Sequence, residues 1–232
     1  MKIPRINNLF NKEKKHRVFD GKLVYGLQKN NIDYFIDVGA NFGQTALEIM
    51  KWGYDGKIVS IEPVLECHKY ISTLSKKYNN WRVLERMAVG DYNGMTRINV
   101  SEASDLSSIL NPTELLNNSY SDVKKNHVEE VNIFKIDSIS IFNELEKKNI
   151  FLKIDAQGYD YKVLEGAKNL ITRLSGIMIE ASLEPLYENQ ETYFEIIQYL
   201  HDLGMTPHMI CERSFSRRTK QQLQVDLVYF RK

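Results

Sequence analysis

One acid inside a glycine-rich turn and a second acid at the next strand end carry the first chemical signal in this chain. The run Phe35-Ile36-Asp37-Val38-Gly39-Ala40-Asn41-Phe42-Gly43-Gln44 leads from an apolar strand into a helix that begins near Gln44-Thr45. Glycine lets a backbone approach a ligand closely and accepts positive φ in a turn. The helix start then offers free N–H groups at the carboxyl end of a strand, where ligands bind in α/β sheets. The dinucleotide pattern G-x-G-x-x-G is not met, because Asp37 stands in place of its first glycine. An acid there suits a cationic ligand better than a pyrophosphate, and S-adenosylmethionine, with its ammonium and sulfonium groups, fits. Glu62 ends the next strand 25 residues after Asp37, and Pro63 stops that strand. That interval is close to the roughly 20 residues at which an acid reaches ribose hydroxyls. A surface acid on an ordinary βαβ unit is the plainer alternative.

The elements that must position these groups alternate along the chain. Expected strands are Tyr34–Val38, Lys57–Ile61, Arg82–Ala88, Ile150–Asp155, Gly176–Glu180, Met205–Cys211 and Gln224–Phe230. Helical patterns fill Thr45–Trp52, Leu65–Lys77, Ile139–Lys148, Lys162–Leu174 and Thr192–Leu203. Such alternation predicts a parallel sheet covered on both faces. Only a polar turn near Arg213 to Gln222 separates the last two strands, so they should pair antiparallel. The fold class expected is α/β: a Rossmann-like class I methyltransferase sheet of seven mostly parallel strands with an antiparallel C-terminal hairpin. An extra strand pair, Gly94–Val100 and Val128–Ile136, flanks a Ser- and Asn-rich stretch from Ser101 to Asn126, which reads as a polar loop or acceptor lid.

Composition narrows the function classes. The chain has 232 residues, is 43% hydrophobic and 26% charged, and has a net charge of +1, which gives no steering toward nucleic acid. No stretch approaches the roughly 18 apolar residues of a membrane span. Met1 to Arg17 has no apolar signal core, so a cytoplasmic location is expected. That segment sets Lys2, Arg5, Lys12, Lys14, Lys15 and Arg17 against Glu13, as a solvated arm or as a lure for an anionic surface. Cys67 and Cys211 show neither the spacing of a zinc site nor a disulfide framework.

At the fourth strand the sequence resembles a known family. Phe151-Leu152-Lys153-Ile154-Asp155-Ala156-Gln157-Gly158-Tyr159-Asp160, continuing to Val163-Leu164-Glu165-Gly166-Ala167, is similar to the signature of FkbM-type methyltransferases. Matching pieces follow in order: Ile36-Asp37-Val38-Gly39-Ala40-Asn41-x-Gly43, Ile61-Glu62-Pro63, Ala88-Val89-Gly90-Asp91, Ile136-Asp137-Ser138-Ile139, Ile179-Glu180 before Leu186-Tyr187, and Asp226 before Tyr229-Phe230. The family often has glutamate where this chain has Gln157, an amide that can neither act as a base nor hold negative charge. The likeness implies a methyltransferase domain over 33–232 with an insertion at about 94–136, preceded by a basic arm or helix over 1–32. It also implies O-methylation of a sugar, glycan or secondary metabolite. The cofactor would lie against Asp37, Gly39, Asn41, Gly43, Glu62, Pro63, Ala88 and Asp155.

In that setting Asp155 and Glu180, on adjacent strand ends, are the candidate catalytic acids. They could serve as base and orienter, or could hold a divalent ion that acidifies the acceptor hydroxyl. Alternatively, Asp155 merely caps the following helix. His127 is a further base candidate, while Ser104, Ser107, Ser108, Tyr159 and Tyr187 could face the cofactor or acceptor or else be spent on solvation and core packing. The acceptor expected is a small molecule or glycan, not nucleic acid, since Asp155-Ala156-Gln157-Gly158 replaces the Asn/Asp-Pro-Pro-aromatic run of base methyltransferases. A nucleic-acid methyltransferase, a non-catalytic S-adenosylmethionine-binding domain and a dehydrogenase are the rival readings. Oligomeric state has no signature.

Overall fold

The computed structural model describes residues 21–231 apart from 121, 122, 124, 144 and 146; the basic arm of Lys2 to Arg17 lies outside them. The first described helix, α1 (Lys22–Lys29), turns Leu23, Val24 and Leu27 inward, an apolar stripe at helical spacing. Then come β1 (Tyr34–Val38), α2 (Gln44–Lys51), β2 (Lys57–Ile61), α3 (Leu65–Leu74) and β3 (Trp81–Val83). The short β4 (Ala88–Val89), β5 (Gly94–Ser101), α4 (Glu114–Ser119) and β6 (Lys125–Phe134) follow. The chain continues through α5 (Ser140–Asn143), β7 (Ile150–Ile154), α6 (Asp160–Glu165), α7 (Lys168–Ile171) and β8 (Gly176–Ser182). It ends with α8 (Tyr193–Asp202), β9 (Met205–Glu212), β10 (Phe215–Ser216), β11 (Gln221–Gln222) and β12 (Gln224–Arg231).

The large sheet has the order β3-β2-β1-β7-β8-β12-β9. Its first five strands are parallel, and β12 slots antiparallel between β8 and β9. The expected seven-stranded architecture with its antiparallel C-terminal pair is therefore the observed one. Successive strand residues point to opposite faces, and both faces are buried. Ile36 and Leu152 enter one core with Val163, Leu164 and Leu200. Their neighbours Phe35 and Phe151 enter the other with Leu23, Leu27 and Phe230. Phe35 and Phe151 stack with ring centres 5.4 Å apart, which fixes the β1–β7 register from the side-chain level.

Several expected elements differ in detail. The strand expected at Arg82–Ala88 breaks in two: Arg86 turns out to donate to the Pro63 carbonyl at 2.7 Å, and β4 joins β6 and β5 in a separate three-stranded sheet. The helix expected at Lys162–Leu174 is interrupted at Gly166, whose backbone lies so close to Gly90 that a Cβ would stand 1.8 Å from its carbonyl oxygen. In the Ser101–Asn126 stretch, expected to be a polar loop or acceptor lid, part of the described chain is packed. It holds a 3-10 turn at Ser104–Leu106, and α4 buries Leu116 against Leu186, Tyr187 and Leu223. Helix α8 begins with a capping box of Thr192 and Glu195, satisfying backbone donors at its start. No described helix is long and apolar enough to cross a membrane.

Candidate active site

The turn after β1 rests on its own neighbours before any ligand is considered. Gly39 (φ +74°) and Gly43 (φ +80°) are left-handed, and so is Asn41 at φ +47°. A Cβ on Gly39 would lie 1.9 Å from the Asp155 carbonyl oxygen, and one on Gly43 would lie 2.5 Å from the Trp81 ring. The closeness that the sequence assigns to a ligand at Gly39 is thus an approach of two strand ends, β1 and β7.

Glu62, at the end of β2, braces that turn. Its Oε2 accepts the Asn41 N–H at 2.6 Å, and its Oε1 accepts the Val64 N–H at 2.7 Å. Burial pushes its carboxyl up to about 7, against the pull of those two hydrogen bonds. Each oxygen retains acceptor capacity beyond one N–H, which suits a diol. Asn41 Oδ1 accepts from Ser104 Oγ at 3.0 Å and from the Cys67 thiol at 3.2 Å, tying the insertion to the turn. Pro63 follows Glu62 with its carbonyl on Arg86, and Ala88 is buried in the small sheet's core.

At the carboxyl ends of β7 and β8 and the amino end of the antiparallel β12 the structure gathers acids that are far apart in sequence. Asp37 and Lys153 are register partners on β1 and β7, and Lys153 Nζ lies 2.9 Å from Asp37 Oδ1. Neither Asp37 oxygen accepts a well-directed hydrogen bond among the described residues, so this contact is a charge pair more than a directed bond. Lys153 also donates to the Gly39 carbonyl at 3.2 Å and stands 3.7 Å from Asp155 Oδ2. The cation set against Asp37 is therefore a lysine of the chain itself.

Arg213 reaches in from the end of β9. Its Nη2 donates to Asp155 Oδ2 at 2.9 Å, its Nε to Glu180 Oε1 at 3.1 Å, and Nε lies 3.5 Å from Asp226 Oδ2. Gln157, at φ +50°, donates from Nε2 to Asp155 Oδ1 at 2.7 Å and to Glu180 Oε2 at 3.1 Å. Its Oε1 accepts the Tyr187 hydroxyl at 3.1 Å. Gln224 adds a short donation to Glu180 Oε2. Burial pushes the Asp155 carboxyl up, but Lys153, Arg213 and Gln157 outweigh it and hold the group below the usual carboxylate range. Burial and the adjacent Asp155 charge push Glu180 well above that range, and burial takes Asp226 up to about 6.

The remaining sequence candidates make contacts of their own. His127 sits half-exposed on β6 of the small sheet with its ring nitrogen 3.0 Å from Glu129 Oε1, whereas Asp155 follows β7 and Glu180 lies in β8 of the large sheet. Ser108 is buried and donates to the Gln157 carbonyl at 2.6 Å, and Ser107 Oγ accepts the Ser101 N–H at 3.1 Å. Tyr159 points its hydroxyl at Asp91 Oδ1 at 3.1 Å, and Tyr187 is fully enclosed, so neither offers a flat platform to a sugar. Asp160 accepts from the Ala156 and Gly158 N–H groups at 2.8 and 2.9 Å, the helix-start role its position suggests.

The chemistry of the cluster fits one expected group and not the other. Four acids, Asp37, Asp155, Glu180 and Asp226, face two cations, Lys153 and Arg213, so full ionisation would leave two uncompensated negative charges. A cationic cofactor suits that deficit. A divalent ion between Asp155 and Glu180 does not fit, because the donors of Arg213 and Gln157 fill the space between those carboxylates. No group of three His, Cys, Asp or Glu among the described residues is arranged to hold a metal.

The sheet order and this acid-rich rim define a class I methyltransferase. The chain belongs to the Methyltransferase FkbM domain family, whose profile matches residues 37–206. Among solved structures, it is similar to a methyltransferase FkbM from Methylobacillus flagellatus KT, at 13% identity and TM-score 0.55, over 86% of this chain and 44% of that one. The chain thus spans less than half the length of the Methylobacillus protein. A protein assigned as an S-adenosylmethionine-dependent methyltransferase from Listeria monocytogenes is similar at 11% identity and TM-score 0.51, over 90% of this chain and 97% of that one. At such identities the likeness shows the fold alone. A search of curated proteins gave no match.

Sequence reasoning missed Lys153, Arg213 and Gln224. Lys153 had a readable signal, a charge inside the apolar run Ile150–Ile154. Arg213 and Gln224 had none, since they reach Glu180 only because β12 inserts between β8 and β9.

Proposed function

We propose that this protein transfers the methyl group of S-adenosylmethionine to a hydroxyl of a sugar, glycan or secondary metabolite. The observation that carries the reading is the carboxylate cluster beside the β1 turn, short of positive charge and open at Asp155. The Asp155 side chain is 14% exposed, against 0% for Asp37, 3% for Glu180 and 1% for Asp226. It is the carboxylate that an acceptor hydroxyl reaches.

When bound, the cofactor supplies a methyl group already made electrophilic by its sulfonium. Glu62 is the residue that would hold the ribose hydroxyls, with the β1 turn beside it. Asp155 accepts a hydrogen bond from the acceptor hydroxyl and aims its lone pair for in-line attack. As that oxygen gains a carbon its proton becomes strongly acidic, so a carboxylate of low proton affinity suffices to take it. Glu180, enclosed where Asp155 is partly open, orients Arg213 and Gln157 rather than meeting the acceptor.

Radiolabelled methyl transfer to a panel of glycans and small alcohols tests the reading. Label should appear in a hydroxyl-bearing acceptor. Tight cofactor binding with no labelled product across the panel would favour a non-catalytic binding domain.

A further inference from the structure

Arg213 joins Asp226 to the pair of carboxylates, Asp155 and Glu180, that Gln157 also bridges. It follows β9 directly, and its backbone N–H is held by the Gln224 carbonyl at 3.2 Å, so the start of β12 fixes where its side chain begins. From there the guanidinium meets carboxylates from three strands: Asp155 after β7, Glu180 on β8 and Asp226 on β12. The planar fork of arginine serves several carboxylates at once with directed bonds, where an ammonium acts as a point charge. Asp155 Oδ1 is taken by Gln157 and Oδ2 by Arg213, so the plane of this carboxylate is set by those two residues together.

We propose that Arg213 is the positioning residue of methyl transfer, aiming the Asp155 carboxylate at the acceptor by bridging it to Glu180 and Asp226. This rests on the methyl-transfer reading above. Arg213 touches neither cofactor nor reacting atoms in this role and acts through Asp155. The charged and titratable groups around Asp155 are Lys153 on its own strand, Asp37 behind Lys153, Glu180, Asp226, Asp160 and the Tyr187 hydroxyl, with Arg213 opposite. Among these, Arg213 and Lys153 alone are cationic. Removing Arg213 therefore leaves Asp155 among acids with a single counter-charge.

The test compares Arg213→Gln and Arg213→Lys with wild type and with Arg213-independent Arg217→Gln, an exposed position of the same hairpin. Rates across pH, calorimetric S-adenosylmethionine affinity, and carbon-13 carboxyl titration of Asp155, assigned with Asp155→Asn, are the readouts. For Arg213→Gln the expected outcome is a kcat lower by roughly 10²-fold. The acid limb of its rate profile and the Asp155 titration should both move up by about one pH unit or more. Cofactor affinity should stay equal or tighten, because a positive charge has left the cluster. Arg213→Lys should restore the titration but only part of the rate, and Arg217→Gln should change neither. An unmoved limb and an unmoved Asp155 titration in folded Arg213→Gln would overturn the proposal. If Arg213→Gln does not fold, a full wild-type rate in Arg213→Lys overturns it, and a reduced rate with an intact titration supports it. A wild type that methylates nothing refutes the methyl-transfer reading instead, and with it the positioning role.

Discussion

Asp155 is buried, and its low proton affinity depends on two cations, Lys153 on β7 and Arg213, which arrives from 58 residues further on. Asp155→Asn keeps the size and removes the charge. It should lower the transfer rate by about 10²-fold or more while leaving cofactor affinity nearly unchanged; wild-type turnover in that variant would discard Asp155 as the acceptor's partner. Glu62 was visible in the sequence, and the structure adds why it stands so firmly: two backbone N–H groups hold it. Glu62→Ala should weaken S-adenosylmethionine binding by roughly 2 kcal/mol, as expected for losing charge-assisted hydrogen bonds, and calorimetric titration measures it. Gln157 sits between Asp155 and Glu180. Its amide is a donor to two carboxylates, so Gln157→Glu would set a third acid against them. That variant should lose on the order of 1–3 kcal/mol of stability, seen as a lower unfolding midpoint, unless a proton is taken up to compensate.

At the level of elements, strands were easier to read than what joins them. β1, β2, β7 and β8 are mostly apolar runs because helices bury both faces, and their limits in sequence and structure agree within two residues. The small sheet and the packed insertion were harder. Their residues are short, mixed runs whose burial comes from distant partners, as with Leu116 on Tyr187. The glycines of the β1 turn serve the chain's own packing, Gly39 against Asp155 and Gly43 against Trp81. A Cβ at Gly39 meets backbone, which cannot swing aside as a flexible side chain would. Gly39→Ala should therefore cost several kcal/mol of folding stability, from the clash and from the left-handed φ together. Thermal unfolding checks this, and a variant as stable as wild type would mean that the β1 and β7 ends can separate without penalty.

Across the whole molecule the net charge of +1 conceals a buried concentration of acids at one end of the sheet. Burial holds Glu62 and Asp160 at about 7 and Asp226 at about 6, while Glu180 is raised further by the Asp155 charge. In the unfolded chain these groups titrate near 4. Between about pH 4 and pH 7 the folded state thus holds protons that the unfolded state has lost, and unfolding free energy must fall as pH rises through that window. Asp155 and Glu129 run the other way: with folded values held low, their contribution is present above about pH 4 and is lost as pH falls below it. The ligand-free protein should accordingly unfold at a lower temperature at pH 8 than at pH 5. A cationic cofactor bound beside them would favour the ionised forms that burial disfavours, so its binding should expel protons. Calorimetry at pH 6 to 7 in buffers of different ionisation enthalpy should show net proton release on S-adenosylmethionine binding, with affinity rising across that range. Added cofactor should also raise the unfolding midpoint more at pH 7 than at pH 5. Proton uptake on binding, or an unfolding midpoint that climbs from pH 5 to pH 8 without ligand, would show that these acids are already ionised and that the cluster's charge is balanced without the cofactor.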